Sequence, residues 1–235
     1  MIRIGITGTD TNVGKTLVTS AIAAALTRRG LSVAAMKPIE TGCAFADPNR
    51  DGARLARAAN ETRPLAAVAP ITFSECLSPM LAAEFGGRPI DLAFLDTAVH
   101  AASHRRDALL VEGSGGLLVP ITATVAFDSL FARWSLELVI VAPNRLGALN
   151  HVRLTIAAAR AAGLRICAVV LNQIGQDGSD RSISDNPRLI AELENVPVVQ
   201  LPRAPVVDDL DLAAAFAERS GLVDLVAAMA PAAIA

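Results

Sequence analysis

A glycine-rich stretch near the start of the chain, GTDTNVGKT, carries residue types that bind phosphate. It matches the pattern G-x-x-x-x-G-K-[ST], in which the glycines let backbone N–H groups turn inward towards phosphate oxygens. Lys15 would reach the β- and γ-phosphates, and the Thr16 hydroxyl would ligate Mg²⁺. The stretch therefore predicts a nucleotide site, and the alternative is a chance match in a glycine-bearing turn.

A second glycine-rich turn, VEGSGG from Val111 to Gly116, follows another apolar run. Glu112 stands where a carboxylate faces the metal in phosphate-binding proteins of this kind. The alternative is that Glu112 only caps the strand end. Because two such turns at the carboxyl ends of parallel strands meet at one crevice, we favour the metal role.

Asp51, in the stretch NRDGARLA, offers a second carboxylate. Its position beside Asn49 is equally typical of a helix N-terminus, where an acidic side chain caps free N–H groups. The spacing alone leaves both interpretations open.

Lys37, in the stretch MKPIETG, directly follows a predicted buried strand. A lysine at that place is costly unless its ammonium group faces solvent or an anion. Since the strand ends at the same sheet edge as the phosphate-binding loop, we expect Lys37 to face an anion rather than to be a solvated surface residue. Thr41 adds a hydroxyl nearby.

The histidines and cysteines lack the spacing of a complete metal site. His100 and His104 lie one helical turn apart, but no third ligand is placed beside them, so a solvated helix face is predicted. Cys43, Cys76 and Cys167 are far apart in the chain. They are predicted to be free thiols in a reducing cytoplasm.

Short apolar runs alternate along the chain with segments of helical periodicity. The runs are apolar at consecutive positions, which is typical of strands buried on both faces of a parallel sheet. We predict strands over 2–7, 31–36, 108–113, 136–143, 164–172 and 196–202, and helices over 15–29, 125–134 and 148–162. This alternation predicts an α/β fold with a doubly wound, mostly parallel sheet flanked by helices.

The least regular part of the chain is the stretch 38–89, which contains several prolines. We predict long loops there, with a short helix over 51–60. Loops of that length in a compact domain are usually functional.

The composition excludes several classes of function. The chain has 235 residues, of which 52% are hydrophobic, and a net charge of −2. These values suit one domain over 1–235 and predict no binding to nucleic acid or to an anionic membrane. Neither a signal peptide nor an apolar run of roughly 18 residues for a membrane span is found. We expect a cytoplasmic protein that binds small molecules or protein.

A series of motifs occurs in a fixed order along the chain: GTDTNVGKT, KPIETG, VEGSGG, RLGALNH and VLNQ. Together they resemble the dethiobiotin synthetase family over residues 1–205. The first motif is shared by a vast superfamily, but its combination with KP-x-x-[ST]-G and EG-x-GG is far more specific. The segment TFSECLSPMLAAEFGGRPI also resembles the family pattern. This resemblance implies that the long central loops lie on the substrate side of the site.

The resemblance implies the P-loop NTPase fold and an ATP-dependent cyclo-ligase of biotin synthesis. Such an enzyme converts 7,8-diaminononanoate, CO₂ and ATP into dethiobiotin, ADP and phosphate. One amine takes up CO₂ as a carbamate, whose oxygen attacks the γ-phosphate, and the second amine then closes the ureido ring. Because two anions must meet, cations and N–H groups have to surround them.

The family pattern, carried over to the matching positions, makes Lys15 and Lys37 catalytic and assigns Mg²⁺ to Thr16, Asp51 and Glu112. It thereby favours the metal role of Asp51. The implied nucleotide contacts are Asn12, Val13, Gly14, Lys15, Thr16, Leu17, Asp51, Glu112, Gly113, Ser114, Gly115, Asn172, Gln173, Pro202, Arg203 and Ala204. The implied substrate contacts are Thr11, Thr41, Leu146, Gly147, Ala148, Leu149 and Asn150.

The resemblance also implies a homodimer with shared active sites. The free N–H groups at a helix start form an anion site. In the family, the helix start that corresponds to 146–150 comes from the partner subunit and holds the carboxylate tail of the substrate bound at Lys37. The alternative is that Asn150 caps or packs within its own subunit.

Two positions depart from the family pattern. Asn12 stands where some relatives have Glu, which the loop tolerates because it acts mainly through backbone N–H groups. Gln173 follows Asn172 where an Asp can stand, and this leaves the choice of nucleotide open.

Two other classes of protein share the predicted fold. Partitioning-type and metal-chaperone NTPases usually have a further lysine early in the loop, or metal-binding Cys/His motifs, whereas this loop has Thr9 and Asp10. A non-catalytic nucleotide sensor would need no cation opposite the γ-phosphate, so Lys37 argues against it.

Overall fold

A computed structural model of the chain describes residues 1–173, 180–201 and 209–230. The strands are β1 (Ile2–Gly8), β2 (Val33–Met36), β3 (Ile39–Thr41), β4 (Ile71–Phe73), β5 (Ala108–Gly116), β6 (Glu137–Pro143), β7 (Ile166–Asn172) and β8 (Val198–Leu201). The helices are α1 (Lys15–Arg28), α2 (Asp51–Ala58), α3 (Leu65–Val68), α4 (Pro79–Phe85), α5 (Leu92–Ser103), α6 (Phe127–Arg133), α7 (Ala148–Ala161), α8 (Ser182–Glu194), α9 (Leu210–Arg219) and α10 (Leu222–Ala227).

The main sheet has six strands in the order β2-β5-β1-β6-β7-β8, and all neighbouring pairs are parallel. The predicted α/β fold with a mostly parallel sheet is therefore confirmed. Because the strands run in one direction, the segments that follow β1, β2, β5 and β7 all leave the same edge of the sheet. That edge is where a parallel sheet forms its ligand crevice.

Helices cover both faces of this sheet, which explains why the strands are apolar at consecutive positions. Ile4 and Ile6 of β1 pack on the face covered by α1, α2, α9 and α10. Leu109 and Val111 of β5 pack on the opposite face, against α5 and α6. Each strand thus supplies side chains to two cores, so no position on it needs to be polar.

The stretch 38–89 is more regular than predicted. It contains the parallel pair β3–β4, which forms a separate two-stranded sheet, and the helices α2, α3 and α4. The expectation of long loops is wrong for these segments, although the helix predicted over 51–60 is present. Each of the two strands is only 3 residues long and follows a proline, so neither shows a periodic pattern.

The described residues also show the state of the cysteines and histidines and the properties of the helices. All three cysteines are free. His100 lies in α5 and His104 ends it, and the described part of the chain has no group of three or more His, Cys, Asp or Glu that could hold a metal ion. No described helix has the length and apolarity to cross a membrane.

Candidate active site

A cavity of about 980 Å³ opens at the carboxyl edge of the main sheet. The segments that follow β1, β2, β5 and β7 all contribute side chains to it. The predicted residues that line the cavity are Thr11, Asn12, Gly14, Lys15, Thr16, Leu17, Lys37, Thr41, Asp51, Glu112, Ser114, Gly115, Asn172 and Gln173. The fold thus brings together residues that are far apart in the sequence.

The phosphate-binding loop connects β1 to α1 and turns on Gly14. Gly14 has a φ of 97°, a left-handed conformation that glycine adopts without strain. A side chain there would also collide with the Asn172 amide, which donates a hydrogen bond of 3.1 Å to the Val13 carbonyl. The N-cap residue of α1 is Gly14, which has no side chain to cap the helix, so the first N–H groups of α1 are available to an anion in the cavity.

Lys37 is held between two carboxylates. Its Nζ donates to Asp51 Oδ2 at 2.7 Å and to Glu112 Oε1 at 2.6 Å. The side chain of Lys37 is 6% exposed and that of Glu112 is fully buried, whereas that of Asp51 is 36% exposed. Since an ammonium group has three N–H donors, Lys37 retains one for a ligand oxygen.

Glu112 also accepts hydrogen bonds from α1. The Thr16 hydroxyl donates to its Oε1 and Thr19 Oγ1 lies near its Oε2, each at 2.9 Å. Asp51 is the first residue of α2, and no side-chain cap is present at that helix start. Its carboxylate binds Lys37 instead and lies in the cavity, so it does not cap the helix.

The charges in the cavity shift the pKa of each lysine in a different direction. Burial, and then the nearby charge of Lys37, lowers the pKa of Lys15 to about 8. Burial alone would also lower the pKa of Lys37, but the charges and hydrogen bonds of Glu112 and Asp51 outweigh it and raise that pKa above its ordinary value. Lys37 is therefore always charged near neutral pH, whereas Lys15 titrates within the working range of many enzymes.

Some predicted residues lie elsewhere. Gly113 faces the core, where a side chain would contact Phe127 and Phe131, and Val13 is buried in the loop. The segment 146–150 does not line the cavity. Pro202, Arg203 and Ala204 lie outside the described residues.

The cavity also contains residues that were not predicted as site residues, although some of them lie within the quoted motifs. They are Gly42, Arg54, Cys76, Leu77, Ser78, Pro79 and Val119. The position of Arg54 has a sequence signal, because it follows Asp51 by one turn of the predicted helix and so shares its face. The segment 76–79 lies within the stretch whose family resemblance predicts substrate-side structure.

The fold and the cavity define a P-loop nucleotide-binding protein, because a strand, a phosphate-binding loop and a helix stand beside a carboxylate from the neighbouring strand. The family model described as AAA domain matches residues 3–211. The ATP-dependent dethiobiotin synthetase BioD of Anaeromyxobacter sp. (strain K) is 40% identical over 85% of this chain and 89% of its own length. The chain belongs to the dethiobiotin synthetase family, as the motif order predicts.

More distant relatives carry the same name. The ATP-dependent dethiobiotin synthetase BioD of Aquifex aeolicus is 36% identical over 96% of this chain and 97% of its own length. That of Bacillus cereus (strain B4264) is 35% identical over 83% of this chain and 81% of its own length. The likeness therefore extends over nearly the whole chain.

Solved structures show a similar fold. The Pyrococcus furiosus cell division ATPase MinD has a TM-score of 0.53 and 17% identity, and covers 97% of both chains. A ParA family ATPase from Chlorobium tepidum has a TM-score of 0.53 and 14% identity, over 96% of this chain and 97% of its own. At these identities the likeness concerns the fold alone.

Proposed function

We propose that this chain closes the ureido ring of dethiobiotin from 7,8-diaminononanoate, CO₂ and ATP. Family membership supports this activity, and one observation in the cavity carries it. Lys37 provides a second, permanently charged cation beside the phosphate-binding loop, where two anions have to meet. A site that only bound a nucleotide would gain little from a buried lysine held by two carboxylates.

The proposed reaction has three bond-forming steps. One substrate amine adds to CO₂ and loses a proton, which gives a carbamate. A carbamate oxygen then attacks the γ-phosphorus of ATP and ADP leaves, so that a carbamic-phosphoric anhydride forms. The second amine attacks the anhydride carbon and loses a proton, the bond from that carbon to the phosphate oxygen breaks, and phosphate departs as the ring closes.

The residues of the chain act mainly by placing positive charge. Lys15 and the first N–H groups of α1 bind the phosphates. The free N–H of Lys37 binds at the oxygen that joins the carbamate to the γ-phosphate, where negative charge accumulates during transfer. Such preorganised donors stabilise the transition state more than the separate substrates.

We further propose that the site binds Mg²⁺. The Thr16 hydroxyl and the carboxylates of Asp51 and Glu112 are oxygen ligands of the kind Mg²⁺ prefers, and its other positions would be filled by water and phosphate. The Thr16 hydroxyl and Lys37 Nζ both donate to Glu112 Oε1, and Lys37 Nζ also donates to Asp51 Oδ2, so the three candidate ligands lie close together. A bound Mg²⁺ would offset phosphate charge.

The variants Asp51→Asn and Glu112→Gln test this assignment. Each loses one ligand charge and should therefore need more Mg²⁺ for half-maximal activity, and an unchanged requirement in both would contradict the assignment.

The proposed receiver of the substrate carboxylate is the start of α7 in the partner subunit of a homodimer. Gly147 precedes this helix with no side-chain cap, and Leu146 is 81% exposed. The Leu146 N–H already donates to Asp180 Oδ2 at 2.7 Å. The Ala148 N–H donates to the Arg145 carbonyl, so the N–H groups of Leu149 and Asn150 are better placed to bind the tail. The absence of 146–150 from the lining of its own chain's cavity supports a second copy as the source of this segment.

We also propose that residues 1–235 form one domain that acts on small molecules in the cytoplasm and binds no nucleic acid. Packing of α9 and α10, late in the chain, against α1 on one face of the sheet supports a single domain. The free cysteines suit a reducing compartment. Cell fractionation would test the location, and a DNA-binding assay the absence of nucleic acid.

The experiment that tests the function is an ATP-consumption assay with 7,8-diaminononanoate and bicarbonate, each present or omitted. We expect ADP and phosphate to form only when both are present, together with an equal amount of dethiobiotin detected by mass spectrometry. ATP hydrolysis that is independent of the diamine would favour a partitioning-type ATPase. Nucleotide binding without turnover would favour a sensor.

A further inference from the structure

A row of three buried asparagines joins the phosphate-binding loop to the turn that precedes α7. The side chain of Asn172 donates to the Val13 carbonyl, and its backbone carbonyl accepts the Asn144 N–H at 2.8 Å. Asn186 Nδ2 donates to Asn144 Oδ1 at 2.9 Å and to the Arg145 carbonyl at 3.1 Å. We call Asn144, Asn172 and Asn186 the asparagine row.

A proline in α8 explains why Asn144 fits this place. In an α-helix the carbonyl of Ile183 would accept the N–H of residue 187, but Pro187 has none. Asn144 Nδ2 donates to this Ile183 carbonyl at 3.0 Å instead. The amide of Asn144 therefore uses its oxygen and its nitrogen on two adjacent groups of α8.

The asparagine row is buried, so its hydrogen bonds are specific. Asn144, Asn172 and Asn186 are 1%, 6% and 5% exposed. Buried amides that lose a partner are costly, so Asn186 holds the Asn144 side chain in one orientation, whereas Asn172 joins Asn144 through the backbone. An apolar side chain of similar size in place of Asn186 could fill the space, but it could not donate the hydrogen bond that orients the Arg145 carbonyl.

Outside the asparagine row, the turn at 145–147 is held by the hydrogen bond from the Leu146 N–H to Asp180 Oδ2. Arg145, Leu146 and Gly147 are exposed, and Gly147 has a φ of 90° with no atom near its missing side chain. The Arg145 carbonyl accepts hydrogen bonds from the Ala148 N–H, at 3.0 Å, and from Asn186. The direction of the first N–H groups of α7 thus depends on that carbonyl.

We propose that Asn144 and Asn186 are positioning residues for the carboxylate tail of the diamine substrate. They orient the turn at 145–147 so that the first N–H groups of α7 point at the carboxylate. Asn172 anchors the same row on the phosphate-binding loop. This inference rests on the proposed function, because that function supplies the carboxylate.

The test compares 7,8-diaminononanoate with 2,3-diaminononane, in which a methyl group replaces the carboxylate. The variants are Asn144→Ala and Asn186→Ala, with Ser184→Ala on the exposed face of α8 as the matched control. We expect KM for diaminononanoate to rise about tenfold in both variants, the effect of misplacing a charge-assisted hydrogen bond. We expect KM for ATP, kcat, and the affinity for 2,3-diaminononane as substrate or competitor to stay within about twofold.

Three outcomes are distinguishable. Selective loss of affinity for the carboxylate-bearing diamine supports the inference. An equal loss with both diamines, or an unchanged KM for diaminononanoate in the folded variants, overturns it. If the unsubstituted chain forms no dethiobiotin, the proposed function fails first. If an alanine variant does not fold, the same comparison of the two diamines is made with Asn186→Ser, which removes less volume.

Discussion

Lys37 differs from Lys15, the other lysine of the cavity, because its charge is fixed. Two carboxylates hold it, one of them fully buried, and they raise its pKa. Lys15 has no such pair among the described residues. Its Nζ donates to the Asp10 carbonyl at 3.0 Å, and its pKa is lowered. The two lysines should therefore have separable roles, with Lys15 serving nucleotide binding and Lys37 serving the chemical step.

The variants Lys15→Ala and Lys37→Ala test this division. Both should lower turnover by about 100-fold or more, as expected when a preorganised donor to developing charge is lost. Lys15→Ala should also weaken ATP binding, measured by calorimetry, whereas Lys37→Ala should leave it nearly unchanged. Arg219→Ala, an exposed position on α9, serves as the control. Near-normal turnover of Lys37→Ala would refute its electrostatic role.

The lowered pKa of Lys15 predicts proton uptake on nucleotide binding. Near pH 8 about half of the Lys15 side chains are neutral in the free protein. Bound phosphates favour the charged form, so each ATP should bring in about half a proton at pH 8, more at pH 9 and almost none at pH 6.5. Calorimetry in buffers of different ionisation enthalpy measures this uptake, and Lys15→Ala should lack it. Uptake that does not rise with pH would contradict the assignment.

At the level of the elements, the turn between β1 and α1 should tolerate no side chain at Gly14. Gly14→Ala would strain a positive φ and push the Asn172 amide away from the loop, so we expect loss of ATP binding. Gly30→Ala is the matched control, because Gly30 also has a positive φ, of 82°, but no neighbouring atom within 4 Å. It should cost about 1 kcal/mol of unfolding free energy and keep ATP affinity. Equal ATP affinities in the two variants would show that the contact with Asn172 is unimportant.

The elements that the sequence predicted are those with a strong local signal. The six strands of the main sheet and α1, α6 and α7 were predicted from apolar runs and helical periodicity, whereas α5, α8 and α9 were not predicted although each is longer than α6. The pair β3–β4 was missed because three residues after a proline show no periodicity. Its position emerges only from packing against α4 and the rest of that face of the sheet.

The candidate site was partly predictable for a similar reason. Lys37 and Glu112 stand at the ends of predicted strands, and Lys15 opens the helix that follows the first strand, so the parallel topology alone brings them to one edge. The contact between Lys37 and Asp51 needs the actual orientation of α2. The asparagine row joins Asn144 to a helix that begins far along the chain, and no motif marks such a pairing.

At the scale of the whole molecule, the shared active site predicts complementation between subunits. A Lys37→Ala subunit lacks the cation, and a Gly147→Trp subunit would block the tail site that it offers to its partner. Each variant alone should have little activity, whereas a mixture should regain one intact site per mixed dimer. Recovery towards about half of the activity per mixed dimer is expected from this geometry. No recovery, once subunit exchange has been demonstrated by labelled subunits, would mean that each active site is built within one chain.

The transfer of oxygen from CO₂ to phosphate tests the central claim most directly. In the proposed reaction a carbamate oxygen attacks the γ-phosphorus and later leaves with the phosphate. With [¹⁸O]bicarbonate in unlabelled water, sampled before the label exchanges with solvent, each phosphate released should carry one ¹⁸O atom, seen by mass spectrometry. Unlabelled phosphate formed together with dethiobiotin would contradict attack of the carbamate on ATP, and with it the role assigned to Lys37.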